Sequence, residues 1–214
     1  MAKRSYHQFC GVARALDILG ERWTLLIIRD LLLGPMRYVD LLQSLEGITT
    51  NLLAARLKHL EAHGLLTKVA APPPSGARLY ELTPHGQRLR PLVLELGRVG
   101  AATMRGGPSD DERVSLRWAM VSLMRRYRGC PRPAVLQLHV ADRSFVADMR
   151  PDELVMRDGL TDAAATIIRG DESAWRQWVS ARTSARSLLE TGALRREGAA
   201  RPFSDLTRAV GGTP

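Results

Sequence analysis

The chain predicts a mixed fold in two parts: a mainly helical N-terminal domain over residues 1–107 and an α+β C-terminal domain over residues 108–214. Three observations predict it. Apolar residues recur at helical spacing up to residue 63, then switch to strand-like alternation over 65–70 and 78–82. The run Gly106-Gly107-Pro108-Ser109-Asp110-Asp111 sets helix stops before helix caps, which reads as a linker. Beyond it, alternating stretches at 134–140 and 144–149 precede a series of short helical patterns. With 214 residues, each part can bury a core of its own.

The elements follow in order. The first helix is expected over 11–19, with Val12, Ala15, Leu16 and Leu19 on one face and Gly20 as its stop. A second is expected over 21–33, ending at Gly34-Pro35, and a short third over 37–44. Thr49 caps a fourth that ends at His63-Gly64, with Leu53, Leu57 and Leu60 as its buried stripe. Residues 65–70 and 78–82 form a hairpin whose tip carries Pro72, Pro73 and Pro74, residues that cannot continue a ladder. Thr83-Pro84 opens one long helix to Met104. In the second part a helix is expected over 112–128, strands over 134–140, 144–149 and 154–157, and helices over 161–168, 172–182 and 184–190. A strand at 193–196 and a helix at 203–210 close the chain, the helices lying against an antiparallel sheet.

Composition narrows the function. Net charge is +9, and arginine supplies all but three of the 31 basic residues. Residues 1–107 carry 14 Lys+Arg against 8 Asp+Glu, and the remainder 17 against 14, so the excess is mostly N-terminal. Such a face attracts nucleic acid, anionic membrane or acidic partners alike, and charge alone leaves all three open. No apolar run approaches a membrane span, and the N-terminus lacks a signal-peptide core, so a cytoplasmic protein is expected. Cys10 and Cys130 form no CxxC, which argues against a disulfide scaffold. His59 and His63 stand at i, i+4, but His63 at the end of its helix suits the helix dipole, and no metal is predicted. Phosphate-loop, nucleophile-elbow and HExxH motifs are absent, so neither an enzyme nor a cofactor is expected.

Short helices followed by a capped helix and a hairpin fit a winged helix-turn-helix, in which one helix enters the major groove of double-stranded DNA, although Asn51, Lys58 and His59 would equally serve as a solvated face beside a surface hairpin. If the leucine stripe faces inward, Thr50, Asn51, Ala54, Ala55 and Lys58 face outward, with His59 on the flank. Thr50 and Asn51 can bond base edges, the alanines permit close approach, and Lys58 suits a phosphate. Thr49 supplies the cap at the groove-entering end. Lys68 and Arg78 flank the wing tip, and Arg37 and Tyr38 are expected to clamp backbone phosphates.

The stretch Cys10-Gly-Val-Ala-Arg-Ala-Leu-Asp-Ile-Leu-Gly-Glu-Arg-Trp-Thr-Leu-Leu-Ile-Ile-Arg-Asp-Leu-Leu-Leu-Gly-Pro-Met-Arg-Tyr38 resembles the opening of HxlR-type, MarR-like regulators. Gly47-Ile48-Thr49 with Arg56-Leu57, Leu60-Glu61 and Gly64-Leu65, then Tyr80-Glu-Leu-Thr-Pro-His-Gly86, extend the resemblance over residues 8–105. It implies a homodimer on an inverted-repeat operator, with the first and last helices of the domain in the interface. Cys10 matches a position where some members carry a redox-sensing thiol, and Arg14, a turn away, is expected to stabilise its thiolate.

The second part resembles the SCP2-like sterol-carrier fold through residues 161–170, 187–198 and 203–206. That resemblance implies an apolar cavity for a small hydrophobic effector, lined by Trp118, Leu136, Leu138, Phe145, Trp175, Trp178, Leu188 and Leu189. The same residues would also serve as an ordinary α+β core. The function expected is a DNA-binding regulator, a repressor, controlled by that effector. The competing expectation is a hydrophobic-ligand carrier or interaction module whose winged helix serves dimerisation only.

Overall fold

The computed structural model describes residues 5–71, 75–104 and 112–212. The chain divides into two compact units, Met1–Val93 and Leu94–Pro214. The expected linker at 106–111 and the proline tip at 72–74 lie outside the described residues.

The first unit holds α1 (Gly11–Leu19), α2 (Thr24–Leu31), β1 (Met36–Arg37), α3 (Tyr38–Ser44), α4 (Thr50–Ala62), β2 (Leu66–Ala70), β3 (Arg78–Leu82) and α5 (Pro84–Gln87). A further helix, α6 (Arg90–Thr103), runs from the first unit into the second. β3 is the central strand of a three-stranded antiparallel sheet, between β1 and β2. Ile27, Ile28 and Leu31 of α2, Leu41 of α3 and Leu53, Leu57 and Leu60 of α4 make the core. Each fully buried leucine contributes about 2 kcal/mol, so the α4 stripe outweighs any polar contact the helix makes. Asp30 is buried at the end of α2, where Arg29 Nε and Ser44 Oγ donate to its carboxylate at 2.8 and 2.7 Å. These bonds tie α2 to α3 and satisfy a carboxylate that would otherwise be costly to bury.

Three differences from the expected elements have local causes. α2 begins at Thr24, because Trp23 adopts a left-handed conformation (φ 78°) that a helix cannot include. β1 is a two-residue strand, too short to leave a periodic signature. The long helix expected from Pro84 is broken into α5 and α6, since Pro91 has no N–H for the Gln87 carbonyl and sits instead in the first turn of α6.

The second unit holds α7 (Leu116–Arg126), β4 (Ala134–Val140), β5 (Arg143–Met149), β6 (Leu154–Asp158), β7 (Thr166–Gly170), α8 (Glu172–Val179), α9 (Ala185–Glu190), β8 (Leu194–Gly198) and α10 (Ala200–Ala209). The sheet order is β6-β5-β4-β7-β8. Two expectations are corrected here. Residues 166–170 form a strand rather than the end of a helix, the β-branched Thr166, Ile167 and Ile168 prevailing over the preceding alanines. β7 then pairs parallel to β4, so the sheet is mixed and not purely antiparallel. Gln137 holds the 159–165 segment on its way to β7, donating to Gly159 O at 3.0 Å and accepting from Thr161 N at 2.9 Å. α7, α8, α9 and α10 pack against the sheet. Asp171 caps α8, accepting from Ala174 N at 2.7 Å.

Gly86 fixes the close approach of α5 to the start of the hairpin. A Cβ there would lie 2.0 Å from the Leu65 carbonyl oxygen, a backbone atom that cannot step aside. Gly86→Ala is expected to cost about 3 kcal/mol, read as a lower urea midpoint by circular dichroism.

Candidate nucleic-acid interface

α4 presents a small, polar outer face. Its N-cap Thr49 accepts from Leu52 N at 3.3 Å, which fixes where the helix starts. Thr50, Asn51, Ala54, Ala55 and Lys58 are all exposed on the side away from the leucine stripe, as their spacing requires. Lys58 makes no ion pair among the described residues.

The helix is held from behind and at its start. Arg56 Nη2 donates to Glu21 Oε2 at 2.7 Å, with both side chains partly buried. Tyr38 Oη donates to the Thr50 carbonyl at 2.7 Å, and its ring lies 6.5 Å from that of Tyr80. Tyr38 therefore positions α4 in addition to any contact it makes outward. Glu21, Arg56 and Tyr80 were not expected as site residues. The Glu21–Arg56 pair spans 35 positions, and no sequence periodicity reports a contact at that distance.

Other expected residues take different places. His59 is half-buried, with its Nε2 3.1 Å from the Ile18 carbonyl, and so turns toward α1 rather than outward. His63 Nδ1 lies 2.8 Å from the His59 carbonyl at the end of α4. Among the described residues no group of three or more His, Cys, Asp or Glu could hold a metal. On the wing, Lys68 Nζ donates to Glu61 Oε2 at 2.7 Å and stands 5.8 Å from the centre of the Tyr80 ring. The Glu61 carboxylate raises the Lys68 pKa. Arg78 is exposed opposite Ala70 at the last pair of the hairpin. Arg37 is exposed at the start of α3 and donates to Ser75 Oγ at 3.0 Å, joining that helix to the outer end of the wing.

Two helices keep apolar faces exposed. On α1, Val12 and Leu16 are 68% and 44% exposed, and Phe9 just before it is fully exposed; only Ala13 and Leu19 are buried. Of the stripe expected from the sequence, Leu19 is buried, whereas Val12, Ala15 and Leu16 stay exposed. On α6, Leu92, Leu96 and Val99 recur at i, i+4 and i+7 and are likewise exposed. Cys10 is exposed at the N-cap of α1. The N–H groups of Ala13 and Val12 lower its thiol pKa, the effect expected at a helix N-terminus. Arg14, expected to assist it, stands 3.9 Å from Asp17 instead.

In the second unit Leu136, Leu138, Phe145, Trp175, Trp178 and Leu188 are buried, whereas Trp118 and Leu189 are half-buried. Trp178 lies edge-on to Trp175 at 5.4 Å and 5.2 Å from Phe203. Trp175 Nε1 donates to the His139 carbonyl at 3.0 Å, but the buried Trp178 Nε1 has no acceptor among the described residues. No helix of the described residues is long and apolar enough to cross a membrane.

The family described as HxlR-like helix-turn-helix matches residues 18–106. The helix-turn-helix-type transcriptional regulator sll1512 of Synechocystis sp. PCC 6803 is 30% identical over 92 residues, 43% of this chain and 68% of its own length. The regulator YvaP of Bacillus subtilis is 33% identical over 85 residues, 40% of this chain and 79% of its own. A crystal structure of a MarR-family regulator from Porphyromonas gingivalis W83 is 30% identical and covers 47% of this chain and 99% of its own, with a TM-score of 0.43.

The bond from Tyr38 to Thr50 has a measurable share in holding α4. Tyr38→Phe is expected to lower stability by about 1 kcal/mol and to speed amide exchange in the first turn of α4, read by hydrogen–deuterium exchange.

Proposed function

Because this chain belongs to the HxlR-like helix-turn-helix family, we propose that it is a dimeric repressor whose α4 enters the major groove of an inverted-repeat operator. The observation that carries the proposal is the outer face of α4. Asn51, Ala54, Ala55 and Lys58 are exposed on a helix whose inner face is wholly committed to packing and whose start is clamped by Thr49 and Tyr38. Asn51 reads base edges, the alanines allow the helix to approach, and Lys58, Arg37 and Arg78 neutralise phosphates. The exposed stripes of α1 and α6 supply the dimer interface, which sets two recognition helices about 34 Å apart.

The second unit is the controlling module. A mixed sheet with helices α7–α10 packed against it supports an SCP2-like reading, in which a small hydrophobic effector enters beside Trp175, Trp178 and Phe203. The free indole N–H of Trp178 would give such a ligand one hydrogen bond. Cys10 adds a second input, since its thiolate is favoured and exposed.

Titration of full-length protein with fluorescent duplexes at two salt concentrations tests the DNA reading. Binding to one inverted repeat should weaken steeply with salt. Asn51→Ala should narrow the preference over a scrambled duplex about tenfold, and Lys58→Gln should weaken both equally while lowering the salt slope by about one. Leu96→Glu should give a monomer by sedimentation and abolish tight binding. Equal affinity for every duplex would overturn the proposal. For the thiol, Cys10 should react with iodoacetamide at pH 7 at least about tenfold faster than the buried Cys130, with the fast phase lost in Cys10→Ser.

A further inference from the structure

Within the second unit, the outer half of α6 and the last turn of α7 bring three arginines together without a matching set of acids. Gly97 is where the two helices close, since a Cβ there would lie 2.8 Å from Arg125 Cδ. The Arg125 stem therefore crosses α6 at Gly97, where its guanidinium feels the charge of Arg98. Arg125 in turn repels Arg126. Burial first, and then this repulsion, pulls the pKa of both Arg125 and Arg126 down.

Their hydrogen bonds go to neutral groups only. Arg125 Nη2 donates to Ser122 Oγ at 3.0 Å, and Arg126 Nη2 to the Val179 carbonyl at 2.7 Å. Arg126 Nε is buried with no partner among the described residues. Glu95, on the same stretch of α6, is taken by Arg98 at 2.6 Å. Among the described residues no carboxylate pairs with Arg125 or Arg126.

Helix ends attract cations, and that accounts for Arg126, whose guanidinium serves the last-turn carbonyl of α8. It does not account for Arg125. That side chain bonds Ser122, three residues back, and so points away from the free carbonyls at the end of α7. A half-buried guanidinium beside a second one, with no acid of its own, favours an anion that joins it.

We propose that Arg98 and Arg125, set against each other across Gly97, form a receptor for the oxyanion of a small effector, a carboxylate or a phosphate. The planar guanidinium fork matches both groups. Arg126 is a positioning residue that fixes the end of α7 through Val179. α6 is continuous from Arg90 to Thr103 and also carries Leu92, Leu96 and Val99. An anion that favours one setting of α6 over another thereby biases the apolar stripe on the same helix. That consequence rests on the repressor reading; the anion site does not.

Thermal unfolding of the full-length protein tests the site without DNA. The probes are inorganic phosphate and citrate, titrated at constant ionic strength with chloride as the balancing ion. Wild type should show a saturable rise of several degrees with at least one probe at low millimolar concentration. Arg125→Gln should weaken that response about tenfold or more, yet unfold at the same or a higher temperature without anion, since it removes an uncompensated charge. A purely structural arginine would give the opposite: lower stability and an unchanged anion response. Gly97→Ala, which presses on the Arg125 stem, should weaken the response as well. The proposal fails if neither probe gives a saturable shift, or if the Arg98→Gln/Arg125→Gln double variant responds as wild type does. Failure to bind the operator, with the anion response intact, would overturn the repressor reading alone.

Discussion

α4 is held in place without any use of its outer face, and the first unit is arranged around that constraint. α4 is secured entirely from its inner side and its ends. Leu53, Leu57 and Leu60 supply several kcal/mol of burial. The Arg56–Glu21 pair, partly exposed, adds less than about 1 kcal/mol, so its value lies in fixing rotation about the helix axis. Thr49 and Tyr38 settle where the helix begins. With rotation, depth and start all determined from behind, the outward side chains are free to be small or polar.

The same economy leaves surfaces unsatisfied elsewhere. A unit of roughly ninety residues cannot cover every amphipathic face it makes. Phe9, Val12 and Leu16 at one end, and Leu92, Leu96 and Val99 along α6, stay in water. Contiguous apolar stripes of that kind mark association surfaces. α6 bears one of these stripes along its continuous length.

How much could be read in advance depended on whether the signal was local. The cap at Thr49, the α4 stripe and the hairpin were legible because each is a short pattern with one physical cause. β7 was missed because Ala163, Ala164 and Ala165 favour a helix, and only the parallel pairing with β4, a tertiary fact, decides for a strand. His59 sits on the correct helix but at an angle that only the Ile18 contact reveals. The periodicity of α1 predicted an apolar face and could not say that the unit buries Leu19 but leaves Val12 and Leu16 bare. The arginines at 125 and 126 were invisible for a related reason: in a chain this rich in arginine, a missing counter-charge is seen only in three dimensions.

The bond between Lys68 and Glu61 ties the wing to the last turn of α4, and its consequence is one of exchange. Both side chains remain more than a third exposed, so the pair is weak and open to competition. A phosphate arriving at the wing does not meet a bare ammonium; it meets one already engaged and must displace a carboxylate to take it. Such a swap would trade one anion for another, so the wing gains little net charge attraction from this lysine. Lys68 thus carries its own counter-charge from α4, and the wing presents it as one half of a pair.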